Sequence, residues 1–360
     1  MAYKCASFFA GVGGIDLGFE ETGKFKTIYA NEFDPFPAKT MALNFPGVTV
    51  DVRDIHQVSA DDVPNVDVIM GGFPCQAFSI AGLRQGFNDE KGRGTLFFEL
   101  LRIIEAKRPQ AIVLENVKNL VSHDNGNTFR VIAQALENAG YHIKYKVLNA
   151  MEYGNTPQNR ERIYIVGFRS EEAYRMFDFP EPVKLTRTVQ DVIDFKHPVD
   201  DKYYYRSGKY KGELYEALDK AMDDPDAVYQ WRRRYVRKNR SGVVPTLTAN
   251  MGEGGHNVPI VRTETGIRKI TPHECFNVQG FPEDFKLPTD VRDSRLYKQA
   301  GNSVCVSVLE RIAENVANAL QANMQSEIAT DWIENYVAEH PDPGTAYVKK
   351  MLNSWKESQH

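Results

Sequence analysis

The sequence predicts an α/β fold: a doubly wound, mostly parallel sheet with a second, smaller domain. Three observations carry this. Through about residue 168, short runs rich in Val, Ile and Phe alternate with helical stretches, the pattern of strands buried on both faces by crossover helices. From Phe179 to about Pro272 that alternation stops, and Tyr, Arg, Lys, Asp, Gly and Pro dominate. Helical periodicity then returns in "GNSVCVSVLERIAENVANAL", where Val304, Val308, Ile312, Val316 and Leu320 recur one turn apart.

Taken in order, "YKCASFF" reads as a buried strand, followed by glycines and a helix through "IDLGFEETG". "FKTIYAN" is a second strand, and a helix begins near Pro35, a residue suited to a first helical turn. "VDVIMGG" and "AIVLENV" are further strands, separated by the amphipathic "TLFFELLRIIEAK". "NTFRVIAQALENAG" is a helix capped by Asn127 and ended by Gly140. "YHIKYKVLNA" and "RIYIVGF" complete the sheet. The domains expected are 1–179 and 273–320 for the sheet unit, 180–272 for the small domain, and 321–360 for a helical C-terminal extension with a break at "PDPG".

The 360 residues are 42% hydrophobic, enough for a sizeable core, and the net charge of −4 leaves any nucleic-acid surface to be local. Cys5, Cys75, Cys275 and Cys305 form no CxxC pair. Their spacing argues against a zinc cluster or a disulfide framework and for a reducing, cytoplasmic setting. The N-terminus does not read as a signal peptide, and no apolar run is long enough to span a bilayer. No metal and no membrane are expected.

"FFAGVGG" opens the first helix, where glycines let a ligand approach the backbone closely. Gly11, Gly13 and Gly14 do not make GxGxxG, because Asp16 stands where the third glycine belongs; a tight turn with no ligand explains them equally well. Glu32 ends the second strand, where a carboxylate can take ribose hydroxyls. Phe33 can stack on an adenine, and Asp54 can accept from its amino group. Taken singly, each acid reads as a solvated loop residue. Three successive strand ends with such partners favour an adenosine-containing cofactor, carrying either a hydride or a methyl group.

"GGFPCQAFS" sets Cys75 on the loop past a strand, where parallel sheets expose reactive side chains. The ordinary alternative is a small buried residue. Glu115 of "LENV" ends a nearby strand, and burial there raises a carboxyl's pKa so that it can keep a proton to donate. "PQNRERIY" adds Arg160 and Arg162, for which a surface ion pair is the plain alternative. One thiol, one acid and two arginines suit attack on a polar, electron-poor ring with protonation elsewhere on it.

"FFAGVGG", "GGFPCQAFS", "LENV", "QNRER" and "GNSV", in this order and spacing, resemble the DNA cytosine-5 methyltransferase family over roughly residues 3 to 320. The chain is similar in particular to the compact bacterial modification enzymes, in which "SHDNGNT" and "GTLFF" also occur. It departs from the family's usual Asp-Leu-Phe-Ala-Gly at Ser7-Phe8-Phe9-Ala10-Gly11. The resemblance implies a Rossmann-like catalytic domain that binds S-adenosylmethionine. Phe9, Gly11, Gly13, Gly14, Glu32, Phe33, Asp54, Ile55, Gly72, Pro74, Leu96, Asn302, Ser303 and Val304 are the implied cofactor residues. Cys75 would add to C6 of a cytosine, Glu115 would donate to N3, and Arg162 would support the base, with Arg160 in the same catalytic set. Addition makes C5 enamine-like and methylatable, and loss of the C5 proton then expels the thiolate. The base must first leave the duplex.

"QWRRRYVRKNRSG" is the densest basic run in the chain. A charge run is usually a solvated face, but this one lies in the small domain just before "PTLTANMGEGGHN", which resembles the family's target-recognition region. Arg232, Arg233, Arg234, Arg237, Lys238, Arg240 and Thr246 are the expected DNA contacts there. Gln76 and Ser79 join them from the stretch "QAFSIAGLRQGFNDEKGRG", which resembles the family's mobile loop. The expected partner is double-stranded DNA, with a restriction endonuclease of the same site as a candidate second one, and the chain is expected to be a monomer. The rival readings are a tRNA cytosine-5 methyltransferase of the same family, a catalytically silent nucleic-acid-binding protein on this fold, and a nicotinamide dehydrogenase.

Overall fold

The computed structural model describes residues 2–74, 96–208, 214–232, 234–253, 257–339, 348–351 and 353–354. The elements run β1 (Tyr3–Phe8), α1 (Gly14–Glu20), β2 (Phe25–Asn31), α2 (Pro35–Asn44), β3 (Thr49–Asp51) and β4 (Val68–Gly71). They continue with α3 (Leu96–Lys107), β5 (Ala111–Val117), α4 (Asn127–Asn138), β6 (His142–Asn149), α5 (Ala150–Tyr153), β7 (Gln158–Asn159), β8 (Glu161–Phe168) and α6 (Glu171–Met176). The remaining chain forms α7 (Leu214–Ala221), β9 (Tyr229–Trp231), β10 (Val236–Lys238), β11 (Val244–Pro245), β12 (Ile260–Thr263) and β13 (Gly266–Lys269). Last come α8 (Pro272–Val278), α9 (Asp293–Asn302) and α10 (Val306–Glu339).

Seven strands make one sheet in the order β3-β2-β1-β4-β5-β8-β6. The pairings from β3 through β5 are parallel, whereas β8 runs antiparallel to both β5 and β6. The reversal follows from the connection. Only a one-turn helix and β7 lie between β6 and β8, too little for the crossover that a parallel pair needs. Strand order changes direction between β1 and β4, and an open α/β sheet binds its ligand outside the strand ends at that point.

Both sheet faces are covered. Val68, Met70, Val113 and Val166 pack with α1, α6 and α10 on one side, while Ile69, Ile112, Leu114 and Ile165 pack with α3 and α4 on the other. Helix α1 approaches α10 through glycine. A Cβ at Gly18 would stand 2.8 Å from the Val306 carbonyl, and one at Gly14 would stand 2.8 Å from Ser303 Oγ. Helix α10 continues unbroken past Leu320 to Glu339, and no helix among the described residues is long and apolar enough to cross a membrane.

Local chemistry sets the helix starts. Pro35 follows the cap Asp34, whose carboxylate accepts from Phe36 N, and Thr271 and Glu274 form a capping box at α8. At α4 the expected cap is corrected. Asp124 and Asn125 adopt left-handed backbone and Gly126 (φ 84°) occupies the cap, so Asn127 is already the first helical residue and makes no side-chain cap.

A four-stranded antiparallel sheet, β10-β9-β12-β13, stands apart from the large one. Two devices join it to the rest. Arg268 of β13 is fully buried and donates to both carboxylate oxygens of Glu274 at 2.8 and 2.7 Å. In addition, β11 pairs in parallel with β7, matching Val244 to Gln158 and Pro245 to Asn159.

Candidate active site and nucleic-acid interface

A cavity of about 380 Å³ opens where β1 and β4 end. The glycine turn after β1 forms one wall. Glu32, at the end of β2, supports it: Oε2 accepts from Gly11 N at 2.8 Å and Oε1 accepts from Asp34 N at 2.7 Å. Burial raises the Glu32 carboxyl above its usual range, and those two N–H groups pull it back. Asp16 lies behind the turn, fully buried, accepting from Ser7 Oγ and Thr27 Oγ1 at 3.0 Å each. Its pKa is pushed up to about 6, chiefly by burial.

The floor comes from the second half of the chain. Gly301, Asn302, Ser303 and Val304 line the cavity together with Arg295, Lys298 and Gln299 of α9. Two of these expose an unmet need. Gln299 Oε1 accepts from Thr40 Oγ1 at 2.8 Å, but its Nε2 is buried and has no partner among the described residues; the same holds for Ser303 Oγ. Buried polar groups are seldom left so. A donor and a hydroxyl with capacity to spare fit a polar cofactor beside the glycine turn.

The opposite wall carries the acid. Glu115 and Arg162 meet diagonally across the β5–β8 pairing, in which Glu115 stands opposite Tyr164 and Arg162 opposite Val117, with Arg162 Nε donating to Glu115 Oε1 at 3.0 Å. Burial raises the Glu115 pKa, and the charges of Arg162 and then Arg160 offset part of that rise. Asn116 ties this wall to the neighbouring strand end, donating from Nδ2 to the Phe73 carbonyl at 2.8 Å. Gly72, Phe73 and Pro74 therefore reach the same cavity as Glu115 and Arg162.

Arg160 is elsewhere. Its guanidinium is buried and donates to the carbonyls of Leu247 at 2.7 Å, Gly301 at 3.2 Å and Ser303. Strand alternation turns residues 160 and 162 the same way only while a strand is regular, and β8 begins at Glu161. Arg160 thus clamps the Leu247 segment and the "GNSV" turn together, outside the cavity lining. A Cβ at Gly301 would lie 2.1 Å from the Thr248 carbonyl carbon, so that clamp closes on a glycine by necessity.

Of the other sequence-derived cofactor residues, Phe9, Gly11, Gly14, Glu32, Gly72, Pro74, Asn302, Ser303 and Val304 line the cavity. Gly13, Phe33, Asp54, Ile55 and Leu96 do not. Gly13 (φ 86°) faces the Phe45 ring, Ile55 is buried in the core and Leu96 packs against it. Asp54 accepts from His56 N at 3.0 Å and pairs with His56 Nδ1, while Phe33 is 66% exposed at the rim beside Glu32. Cys75, Gln76, Ser79 and Arg233 lie outside the described residues, as does the "PDPG" stretch. Asp34, Phe36, Pro37, Asn116, Arg295, Lys298 and Gln299 are lining residues that sequence reasoning missed.

A second, polar cavity of about 410 Å³ lies against the small sheet, lined in part by Asn159, Gln230, Arg232, Arg237 and Thr246. Thr246 Oγ1 donates to the Asn159 carbonyl at 2.6 Å. Asn159 lines this cavity and Arg162 lines the first, so three residues of extended chain, ~10 Å, separate the two walls. The basic run is divided. Arg232 and Arg237 face the cavity, whereas Lys238 pairs with Asp223 and Asp224 at 3.1 and 3.0 Å. Arg234 and Arg240 are exposed.

A family model described as C-5 cytosine-specific DNA methylase matches residues 3–318. The chain is 59% identical over 317 residues to the type II methyltransferase M.Bsp6I of Bacillus sp. (strain RFL6), covering 88% of this chain and 99% of that protein. It is 40% identical over 322 residues to the type II methyltransferase M.SsoII of Shigella sonnei, covering 89% and 81%. Among solved structures, Spodoptera frugiperda DNMT2 superposes with a TM-score of 0.66 at 19% identity, covering 88% of this chain and 99% of that one. The Entamoeba histolytica methyltransferase EhMeth superposes with 0.66 at 19% identity, covering 89% and 99%. Both likenesses concern the fold.

Proposed function

The chain belongs to the C-5 cytosine-specific DNA methylase family and is a DNA cytosine-5-methyltransferase, and from that premise we propose how its residues carry the reaction. The observation that carries the reading is the buried Glu115–Arg162 pair, set on one wall of the cavity with Pro74. S-adenosylmethionine is the methyl donor, and it supplies an electrophilic methyl group when bound against the glycine turn. Glu32 and the "GNSV" turn orient it, with Gln299 Nε2 and Ser303 Oγ as its spare polar partners.

A cytosine turned out of the duplex enters beside Glu115. The Cys75 thiolate, next in the chain after Pro74, adds to C6 while the Glu115 carboxyl gives its proton to N3. That places an electron pair on C5, which takes the methyl group; loss of the C5 proton to solvent then breaks the carbon–sulfur bond and returns the thiolate, and N3 gives its proton back to the Glu115 carboxylate. Arg162 holds Glu115 in place and presents positive charge to the base carbonyl. Cys5, Cys275 and Cys305 are buried at 0%, 0% and 1% exposure, and burial pushes the Cys5 and Cys275 thiols well up, which suits none of them to this attack.

Double-stranded DNA is the substrate proposed, read at a short specific sequence, with the chain acting in the cytoplasm as the modification half of a restriction–modification pair. The test uses duplex carrying 5-fluorocytosine at the methylated position, first located by sequencing 5-methylcytosine in a host that expresses the chain. Fluorine cannot leave as a proton does, so the adduct should survive denaturing electrophoresis and map to Cys75. Cys75→Ser should form none while still binding cofactor and DNA. An adduct on another cysteine, or full methylation by the serine variant, overturns the reading.

A further inference from the structure

The hairpin of β9 and β10 sorts the basic run by face. Gln230 stands directly opposite Arg237, so their side chains leave the same face, and Arg232 lines the same cavity. Tyr229 and Lys238, the next opposed pair, leave the other face. There Tyr229 is fully buried and Lys238 is held by Asp223 and Asp224.

The cavity side is unfinished. Gln230 is only 5% exposed, and its Oε1 is buried with no hydrogen-bond partner among the described residues. Among the described residues neither the Arg232 nor the Arg237 guanidinium meets an acceptor there, and none of the described lining residues is acidic. Asn239, which shares the cavity, is fixed by donating to the Val243 carbonyl. A rigid wall with two uncommitted guanidinium groups and one unmet amide oxygen suits a ligand edge of two adjacent acceptors.

We propose that this cavity reads a guanine of the recognition sequence through its major-groove edge, with Arg237 donating to O6 and N7 and Gln230 holding the Arg237 guanidinium in the base plane. This rests on the methyltransferase reading above and deepens it, by naming the base and the residues that select it. Guanine O6 and N7 match the two parallel donors of a guanidinium, and each such pair discriminates by about 1–3 kcal/mol, roughly 5- to 150-fold. Arg237 donates through this fork; the Gln230 oxygen accepts from a remaining N–H and so gains the partner it lacks. Because Asn159 connects this wall to Arg162 within ~10 Å, the guanine lies within a few base pairs of the target cytosine.

The recognition sequence is first read from the 5-methylcytosine pattern left by the wild-type chain; absence of any such pattern counts against the methyltransferase reading, not against this one. Duplexes are then made with each guanine of the site replaced singly by 7-deazaguanine, which pairs normally but lacks N7. Wild-type kcat/KM should fall at least fivefold at one guanine. Arg237→Ala should lose that much on the unmodified duplex and then respond less than twofold to the replacement at that position, while staying sensitive elsewhere. Gln230→Leu should weaken discrimination at the same guanine while its Tm holds or rises, because it removes an unsatisfied buried polar atom. Lys238→Ala should leave DNA affinity unchanged. A uniform loss over all duplexes in Arg237→Ala, with the log–log salt slope reduced by about 0.9, would make Arg237 a phosphate contact and overturn the proposal. So would retained discrimination at every guanine.

Discussion

Asn116 spans two neighbouring strand ends. Its Nδ2 donates to the Phe73 carbonyl at 2.8 Å and its Oδ1 accepts from Val117 N at 2.8 Å. The wall that carries Glu115 and the turn that carries Pro74 are therefore one hydrogen-bonded unit, buried at Asn116 to 3% exposure.

Asn116→Ala should cost about 1–3 kcal/mol, since it strands a buried carbonyl, and lower Tm by a few degrees. If the contact positions the reacting groups, kcat should also fall at least tenfold while cofactor affinity changes less than twofold. A Tm loss with kcat unaltered would reduce Asn116 to a purely structural tie. Calorimetry and single-turnover methylation separate the two.

Asp16 makes a stability prediction whose sign is fixed by burial. Its folded-state pKa, about 6, lies above the ordinary 3.8. The folded state thus keeps a proton that the unfolded state releases. This contribution is intact below about pH 4, is lost as pH rises towards 6, and stays lost above, on the order of 3 kcal/mol in total. Asp16→Asn cannot ionise, and either the Ser7 or the Thr27 hydroxyl can turn to accept from its amide. Between pH 4 and 7 the variant should therefore gain stability relative to wild type, read as the difference between their urea midpoints. A difference that does not change with pH would mean that the carboxyl titrates alike in the folded and unfolded states, so that burial does not raise its pKa.

Glu32 supports both the glycine turn and the proposed ribose contact. Glu32→Gln keeps the length but turns one acceptor into a donor facing an N–H. Titration calorimetry should show S-adenosylmethionine binding weakened at least tenfold and DNA binding within twofold of wild type. Equal loss of both would show that the substitution disturbs the fold beyond the pocket.

The strand ends are legible in the sequence because their chemistry is local: glycines, an acid and a proline–cysteine step follow apolar runs directly. The α9 wall is not. Arg295, Lys298 and Gln299 reach the cavity only through tertiary packing, and their one signal is that they stand seven, four and three residues before Asn302, the residue that "GNSV" does mark. Direction is equally hidden, since "RIYIVGF" has the same apolar pattern whether β8 runs with its neighbour or against it. The basic run shows its charge in the sequence but not its faces. Only the register with β9 separates Arg237 from Lys238. Arg160 and Arg162 are two positions apart, yet one clamps a turn and the other meets Glu115, because β8 begins between them.

Glu115 must hold a proton to donate it, and its neighbours set how long it does so as pH rises. Burial raises its pKa and Arg162 is the largest opposing charge. Methylation by the wild type should decline on the alkaline side as Glu115 ionises. Arg162→Met keeps the bulk but removes the charge, so the Glu115 pKa rises further and protonation persists to higher pH. The variant should be slower at every pH, yet its alkaline limb should move to higher pH. Glu115→Gln retains a donor that cannot transfer its proton and should lose 10²- to 10⁴-fold in rate, by the usual scale of general acid catalysis, with cofactor binding intact. Its residual activity should show no alkaline limb from this group. Should Arg162→Met leave the limb in place, or move it to lower pH, the group titrating there is not Glu115 and the proton reaches N3 from elsewhere.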